Sequence, residues 1–230
     1  MASGLYSMNL MPRKQRIYTY EFPYHITARS NNKEWFYLPI KDCWGVFQDL
    51  LLEVNQRFNF QTHAFVLMNN HYHLIGTASR EYMLSQVMEW FQRSANRRIH
   101  RRSGRINHLF GGPYSASLIR NEYYYFHALK YLFRNPIEAG LCNVVEEYEF
   151  SSLKSSRIPI ATPVTGIEAL VPKQRSDFLE IMNKSYSEES KEVVSKAMLR
   201  AEISFSARIK KSVRQELSLR GQSQKGTKYF

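Results

Sequence analysis

Long apolar runs are missing from this chain. No stretch approaches the roughly 18 consecutive apolar residues that a membrane-spanning helix needs. An export signal is missing too, because the opening MASGLYSMNLMPRK places its basic residues after a mildly apolar stretch, the reverse of a signal peptide. Cysteine is scarce: Cys43 and Cys142 are the only two, and their separation fits no metal-ligand spacing. A disulfide framework and a zinc-finger arrangement are thereby excluded, and the pair reads as buried thiols in a reducing cytoplasm. No internal repeat appears, which excludes a solenoid. Acidic residues are outnumbered, 20 against 32 Lys and Arg, for a net charge of +12. That excess points to a polyanionic partner, nucleic acid first and an anionic membrane surface second, over a merely charged skin.

What remains is a chain of 230 residues, 43% apolar and 14% aromatic, enough for one medium domain with an appendage. Residues 1–16 read as a loose basic arm. Tyr24–Ala28 alternates as a strand, and Lys41–Asn55 carries apolar residues at helical spacing through Val46, Phe47, Leu50, Leu51 and Val54. Phe60–Met68 and His71–Thr77 read as a hairpin around Asn69-Asn70, since asparagine tolerates the left-handed region. Arg80–Arg102 is a long amphipathic helix and Ser115–Arg120 a short strand. Glu122–Arg134 is a helix expected to stop at Asn135-Pro136, because a residue before proline disfavours the α region. The order β-α-β-β-α-β-α begins as a ferredoxin-like α+β pattern, an antiparallel sheet with helices on one face. The expected organisation is a domain over 17–153, a Ser/Pro/Thr-rich linker and helical extension over 154–207, and a basic tail over 208–230. Helical patches fall at Asp177–Met182 and Glu188–Ala201. The tail has seven Lys or Arg against the single acid Glu216 and is expected to stay disordered unless bound.

The candidate chemistry lies in AFVLMNNHYHLI. His71 and His73, two apart on a strand, share a face about 7 Å apart along the backbone, close enough to converge on one divalent metal. Alone, a His-x-His is more often packed or solvated, and two histidines hold a metal poorly without a third ligand. The helix Glu122–Arg134 offers one. Tyr131 and Asn135 are four apart, on one helical face. An amide oxygen there can ligate a hard or borderline metal, and a phenol one turn away can attack a phosphoryl group polarised by that metal. Tyr123, Tyr124 and Tyr125 are rival tyrosines, and His127, one turn before Tyr131, reads as a packed or surface histidine.

His-Tyr-His in this setting resembles the HUH metal motif of single-tyrosine DNA transposases of the IS200/IS605 type. Tyr131-Leu-Phe-Arg-Asn135-Pro136-Ile-Glu-Ala-Gly-Leu141 resembles their tyrosine segment. More closely the chain resembles the REP-associated tyrosine transposases, which act on repetitive extragenic palindromes. Tyr24-His-Ile-Thr-Ala-Arg-Ser-Asn-Asn32, Phe110-Gly-Gly-Pro-Tyr114 and Glu149-Phe-Ser-Ser152 resemble the flanking pieces, in order, over about Tyr18 to Leu153. The resemblance implies an HUH domain in which His71, His73 and Asn135 hold Mg²⁺ or Mn²⁺. Tyr131 would then be the nucleophile of a transesterification that needs no ATP and leaves a 5′-phosphotyrosine link and a free 3′-hydroxyl. The implied partner is single-stranded DNA bearing a hairpin.

Arg93, Arg97, Arg98, Arg101, Arg102 and Arg105 form a cluster with no acid between Phe91 and Phe110, and DNA phosphates would relieve their mutual repulsion. Arg120 is a further candidate for phosphate contact, as is Arg29, which with His25 matches the family pattern. Arg13, Lys14 and Arg16 form an arm that could enter a groove. Two other readings stand beside strand transfer: a domesticated palindrome-binding protein or repressor with little turnover, and a metal phosphodiesterase using activated water with Tyr131 structural. A bacterial cytoplasmic protein at the nucleoid, monomer or homodimer, with no membrane partner, is the corresponding expectation.

Overall fold

The computed structural model of the protein describes residues 17–161 and 174–205. The basic arm with Arg13, Lys14 and Arg16, and the tail from 208, lie outside the described residues. Four strands, β1 (Tyr24–Arg29), β2 (Gln61–Leu67), β3 (His71–Thr77) and β4 (Ser115–Leu118), form one antiparallel sheet in the order β2-β3-β1-β4. Helices α1 (Ile40–Phe58) and α2 (Leu84–Ser103) are its crossovers. This is the ferredoxin-like arrangement expected of the first six elements. No helix among the described residues is long and apolar enough to cross a membrane.

Strand alternation decides which helices cover which face. Ile26, Phe65, Leu67, Tyr72 and Leu74 point to one side, where they pack with Val46, Phe47, Leu50 and Leu51 of α1 and Val87, Met88 and Phe91 of α2. The other side presents Ala64, Val66 and Ile75 to a second core, formed by α3 (Glu122–Glu138), α4 (Arg175–Asn183) and α5 (Glu188–Ala197). The sheet is therefore flanked by helices on both sides. His71 and His73 lie on the α3 side, and Tyr72, fully buried, packs against Phe47, Phe65 and Phe91 on the other.

Two local expectations are corrected. Helix α3 does not stop at Asn135 but runs through Pro136 to Glu138. The conformational bias before proline is smaller than what the buried face of α3, Pro136 included, gains by packing. The Asn69-Asn70 turn exists, but neither residue adopts positive φ; among the described non-glycine residues only Asn32, Lys33 and Asn59 do. The turn is instead tied down by the segment after β1: Phe36 N–H donates to Asn69 O (2.9 Å) and Ser30 N–H to Asn70 O (2.8 Å).

Helix α3 is fixed at both ends. Its start is capped by Asn121, whose side chain accepts from Tyr124 N–H at 2.9 Å. Near that end Tyr125 Oη meets buried His63 Nδ1 at 3.0 Å, and His63 Nε2 meets Thr77 Oγ1 at 3.1 Å, pinning α3 to β2 and β3. Near the other end Arg134 donates to Asn183 O (2.6 Å) and to Glu138 (2.9 Å), tying α3 to the end of α4.

Candidate active site on the α3 face of the sheet

The register of β1 against β3 places Thr27 opposite His73, His25 opposite Ile75, and Arg29 opposite His71. Paired residues share a face, so His25, Arg29, His71 and His73 all project toward α3. The His71 and His73 ring centroids are 5.0 Å apart. The ring of Tyr131 meets His73 and His25 nearly perpendicularly, at 5.7 and 5.8 Å between centroids. The structure thus brings together the two histidines and the tyrosine that lie 58 or more residues apart in sequence.

The second nitrogen of each histidine in the motif is already engaged. His71 Nδ1 lies 2.7 Å from Asn70 Oδ1, and His73 Nδ1 lies 2.9 Å from His25 Nε2. His73 Nε2 is buried without a hydrogen-bond partner. An imidazole held from Nδ1 with Nε2 unpartnered can ligate a metal through that nitrogen. Burial pushes the His71 imidazole down to about 4, with Arg29 adding to the drop, and pushes His73 well below its ordinary value, with His25 and His71 contributing. Burial likewise brings His25 to about 4, partly offset by the nearby Met198 carbonyl, although His25 Nδ1 makes no hydrogen bond of normal geometry. All three rings are therefore neutral at pH 7, the form that can donate a lone pair to a metal.

Among the described residues, no three His, Cys, Asp or Glu side chains group as a metal site. A third protein ligand would have to be of another type, as Asn135 is. Asn135 sits one turn after Tyr131 on the half-buried face of α3, and its Nδ2 donates to the Tyr131 carbonyl at 2.7 Å, leaving Oδ1 as the free acceptor. Tyr131 and Asn135 line a cleft of about 160 Å³ with Arg134, Glu138, Lys191 and Ser195, the last two from α5. Partial burial would raise the Glu138 carboxyl, but bonds from Lys191 and Arg134 outweigh it and hold Glu138 below the ordinary range. Burial raises the Tyr131 phenol above its ordinary value, while a hydrogen bond with Ser195 and the charge of Arg29 pull it back. Among the described residues, Arg29 is the candidate arginine whose field reaches both the tyrosine and the histidines.

The rival tyrosines are placed elsewhere. Tyr124 and Tyr125 are buried in the second core, and Tyr123 packs against His127 and Phe205. His127 is fully buried, stacked on Tyr186 with Nδ1 2.9 Å from its hydroxyl, and is a packed residue.

The arginine cluster is less uniform than its sequence suggested. Its premise, a run without compensating acid, is corrected by the fold. Glu53 of α1 receives Arg98 at 2.6 Å, and Glu89, one turn earlier, pairs with Arg93 at 3.2 Å. Arg120 pairs with Glu202 at 2.9 Å and lies over Phe22. Arg97, Arg101, Arg102 and Arg105 are exposed, with Arg105 stacked on Tyr37. Arg93 and Arg97 border a groove of about 620 Å³ beside Trp90 on α2, across the sheet from Tyr131. The C-terminal end of α2 is the exception: Leu109 and Phe110 connect it to Asn31 and Ser30, which directly follow Arg29 at the His71 end of the sheet.

In the sequence His25 has no legible role, Asn70 reads only as a turn residue, and Ser195 carries no signal. The alternation of Tyr24–Arg29 already put His25 and Arg29 on one face of a strand. The register that aligns that face with β3 was the missing information. Nothing in the sequence near Ser195 announces contact with Tyr131.

No curated protein sequence matches the chain significantly. Among solved structures, a REP-associated tyrosine transposase bound to a REP hairpin is similar in fold, with a TM-score of 0.54 and 21% identity over 68% of this chain and 94% of that one. A provisionally named transposase from Deinococcus radiodurans R1 aligns with a TM-score of 0.36 and 15% identity, over 45% of this chain and 83% of that one. The model of the family described as IS200-like transposases matches residues 18–132, half of the chain, a span that includes the histidine motif and ends one residue after Tyr131. With the antiparallel sheet, the paired histidines and the facing tyrosine in place, the chain belongs to the IS200-like, single-tyrosine transposase family.

Proposed function

We propose that the protein cleaves and rejoins single-stranded DNA next to a hairpin, with Tyr131 as nucleophile. One observation carries the reading: the Tyr131 ring stands against His73, whose Nε2 is buried and unpaired, on the strand face that also holds His71. The Tyr131 oxygen would attack the scissile phosphorus. The P–O3′ bond breaks as the P–O(Tyr) bond forms, the phenolic proton leaves to solvent or to the departing 3′ oxygen, and the downstream strand stays attached as a 5′-phosphotyrosine. A later 3′-hydroxyl reverses the step, so the bond energy is conserved and no nucleotide cofactor is consumed.

The residues divide the work. A phenol is protonated at neutral pH and burial raises the Tyr131 hydroxyl further, so its proton must be lost during attack, and Arg29 stabilises the negative charge that develops. Asn135 is held by the bond from its Nδ2 to the Tyr131 carbonyl, one turn from the nucleophile. His71, His73 and Asn135 would hold a divalent cation, Mg²⁺ or Mn²⁺, which supplies Lewis-acid polarisation of a non-bridging phosphate oxygen when bound. The exposed arginines at the end of α2 would hold backbone phosphates at the same end of the sheet.

The test is incubation of the full chain with end-labelled, hairpin-bearing single-stranded DNA and Mg²⁺ or Mn²⁺, resolved on a denaturing gel. A covalent protein–DNA band lost in Tyr131→Phe supports strand transfer. Cleavage without an adduct would assign attack to water instead, and tight binding with neither would reduce the protein to a palindrome-binding module.

A further inference from the structure

We infer that Asn70 and His25 are positioning residues that hold His71 and His73 in the Nδ1-protonated tautomer, so that both Nε2 lone pairs are left for a divalent cation. The inference rests on the reading of those two histidines as a metal pair.

A neutral imidazole carries one proton, and either nitrogen can bear it. If Nε2 is protonated it cannot ligate, so a site built on Nε2 needs something to hold the proton on Nδ1. At His71 that group is Asn70. Its Nδ2 donates to the Lys33 carbonyl at 2.7 Å, which fixes the amide so that Oδ1 faces His71 Nδ1, also at 2.7 Å. A carbonyl oxygen only accepts, so His71 Nδ1 must carry the hydrogen. The support continues outward. Asn32 and Lys33 both take the left-handed conformation, at φ 53° and 59°, which non-glycine residues seldom adopt. Those strained residues end on the carbonyl that Asn70 uses, and the backbone of Asn69 and Asn70 is clamped by Phe36 and Ser30. Backbone strain kept beside a candidate metal ligand is a known companion of preorganised sites.

At His73 the group is His25, only 2% exposed, with Nε2 2.9 Å from His73 Nδ1. One proton lies between the two nitrogens, and two arrangements are possible. If His25 were the donor, His73 would carry its proton on Nε2, a buried N–H with no acceptor. If His73 is the donor, His25 carries its proton on Nδ1, also buried without a hydrogen-bond partner, and His73 Nε2 becomes a bare lone pair. Each arrangement leaves one buried N–H unsatisfied, and only the second leaves His73 Nε2 bare, as a metal pair built on His71 and His73 requires. Both ligands thus receive the same orientation from unrelated partners, a turn asparagine and a neighbouring-strand histidine.

The test uses the full chain labelled with ¹⁵N-histidine. Long-range ¹H–¹⁵N spectra of the metal-free protein at pH 7 should show Nδ1–H and an unprotonated Nε2 on both His71 and His73. Mn²⁺ affinity is then measured by electron paramagnetic resonance. Asn70→Leu and His25→Leu should weaken Mn²⁺ binding about ten- to a hundredfold. Asn70→Asp and His25→Gln, which keep an accepting oxygen, should retain it. Metal-free binding of hairpin DNA should be unchanged in Asn70→Leu, His25→Leu and His25→Gln. An Nε2–H signal on either wild-type ring overturns the inference, and needs no variant to fold. Equal Mn²⁺ affinity in wild type and both leucine variants overturns it while leaving the metal pair intact. A wild type that binds no Mn²⁺ overturns the metal reading and this inference together.

Discussion

Acid should destabilise this protein in a way that a single histidine away from the active site can report. His63 of β2 is buried between α3 and β3, bonded to Tyr125 and Thr77. Burial lowers its pKa from 6.5 to about 4. The folded state therefore favours the neutral ring, while the unfolded chain takes up a proton near pH 6.5. Between those two values the unfolded state holds more protons, so stability is full above pH 6.5 and is lost as the pH falls toward 4. For one such group the loss from pH 7 to pH 5 is about 2 kcal/mol. His63→Gln removes the titration, and its amide can still serve both partners. Urea unfolding of wild type and variant at pH 7, 6 and 5 gives the comparison. Any constant cost of the substitution cancels in the double difference. Both proteins should weaken, because His25 and His127 are depressed as well, but the wild type should lose about 2 kcal/mol more. Parallel pH dependences would refute the assignment of a neutral, proton-excluding His63.

Two further outcomes follow from particular side chains. The hydroxyl of Tyr72 is fully buried with no hydrogen-bond partner, so Tyr72→Phe should leave thermal stability unchanged or raise it, since an unsatisfied buried hydroxyl costs about 1–3 kcal/mol; a lower melting temperature would contradict this. In salt titrations of hairpin-DNA binding, Arg101→Ala with Arg102→Ala should flatten the slope of log affinity against log salt by about 0.7 for each single-strand phosphate that is no longer neutralised. Arg98→Ala should change it little, because Glu53 already neutralises that charge, and equal effects of the two sets would remove the distinction.

The sheet and its helices were legible because short apolar and β-branched runs bounded by turn residues mark the strands and each helix carries an apolar stripe; Tyr72 could be placed opposite its neighbouring histidines from period alone. The end of α3 was not legible. A proline argued locally for termination, and the packing that carries the helix past it comes from α4 and α5, which are remote in sequence. The pairing of His71, His73 and Tyr131 was visible as a motif. The partners that orient the histidines were not, because they depend on strand register and on a loop that folds back onto the hairpin turn. Charge was the least readable property. Arg98 and Arg120 look like free cations in sequence and acquire Glu53 and Glu202 only in three dimensions.

The central claim is that Tyr131 becomes covalently joined to DNA. Mass spectrometry of peptides recovered after reaction with hairpin-bearing single-stranded DNA and Mn²⁺ measures this directly. The account predicts a nucleotide attached through a 5′-phosphate to the peptide containing Tyr131, absent in Tyr131→Phe even though that variant still binds the hairpin. A phosphodiester on Tyr123, Tyr124 or Tyr125, or efficient cleavage by Tyr131→Phe, would contradict it.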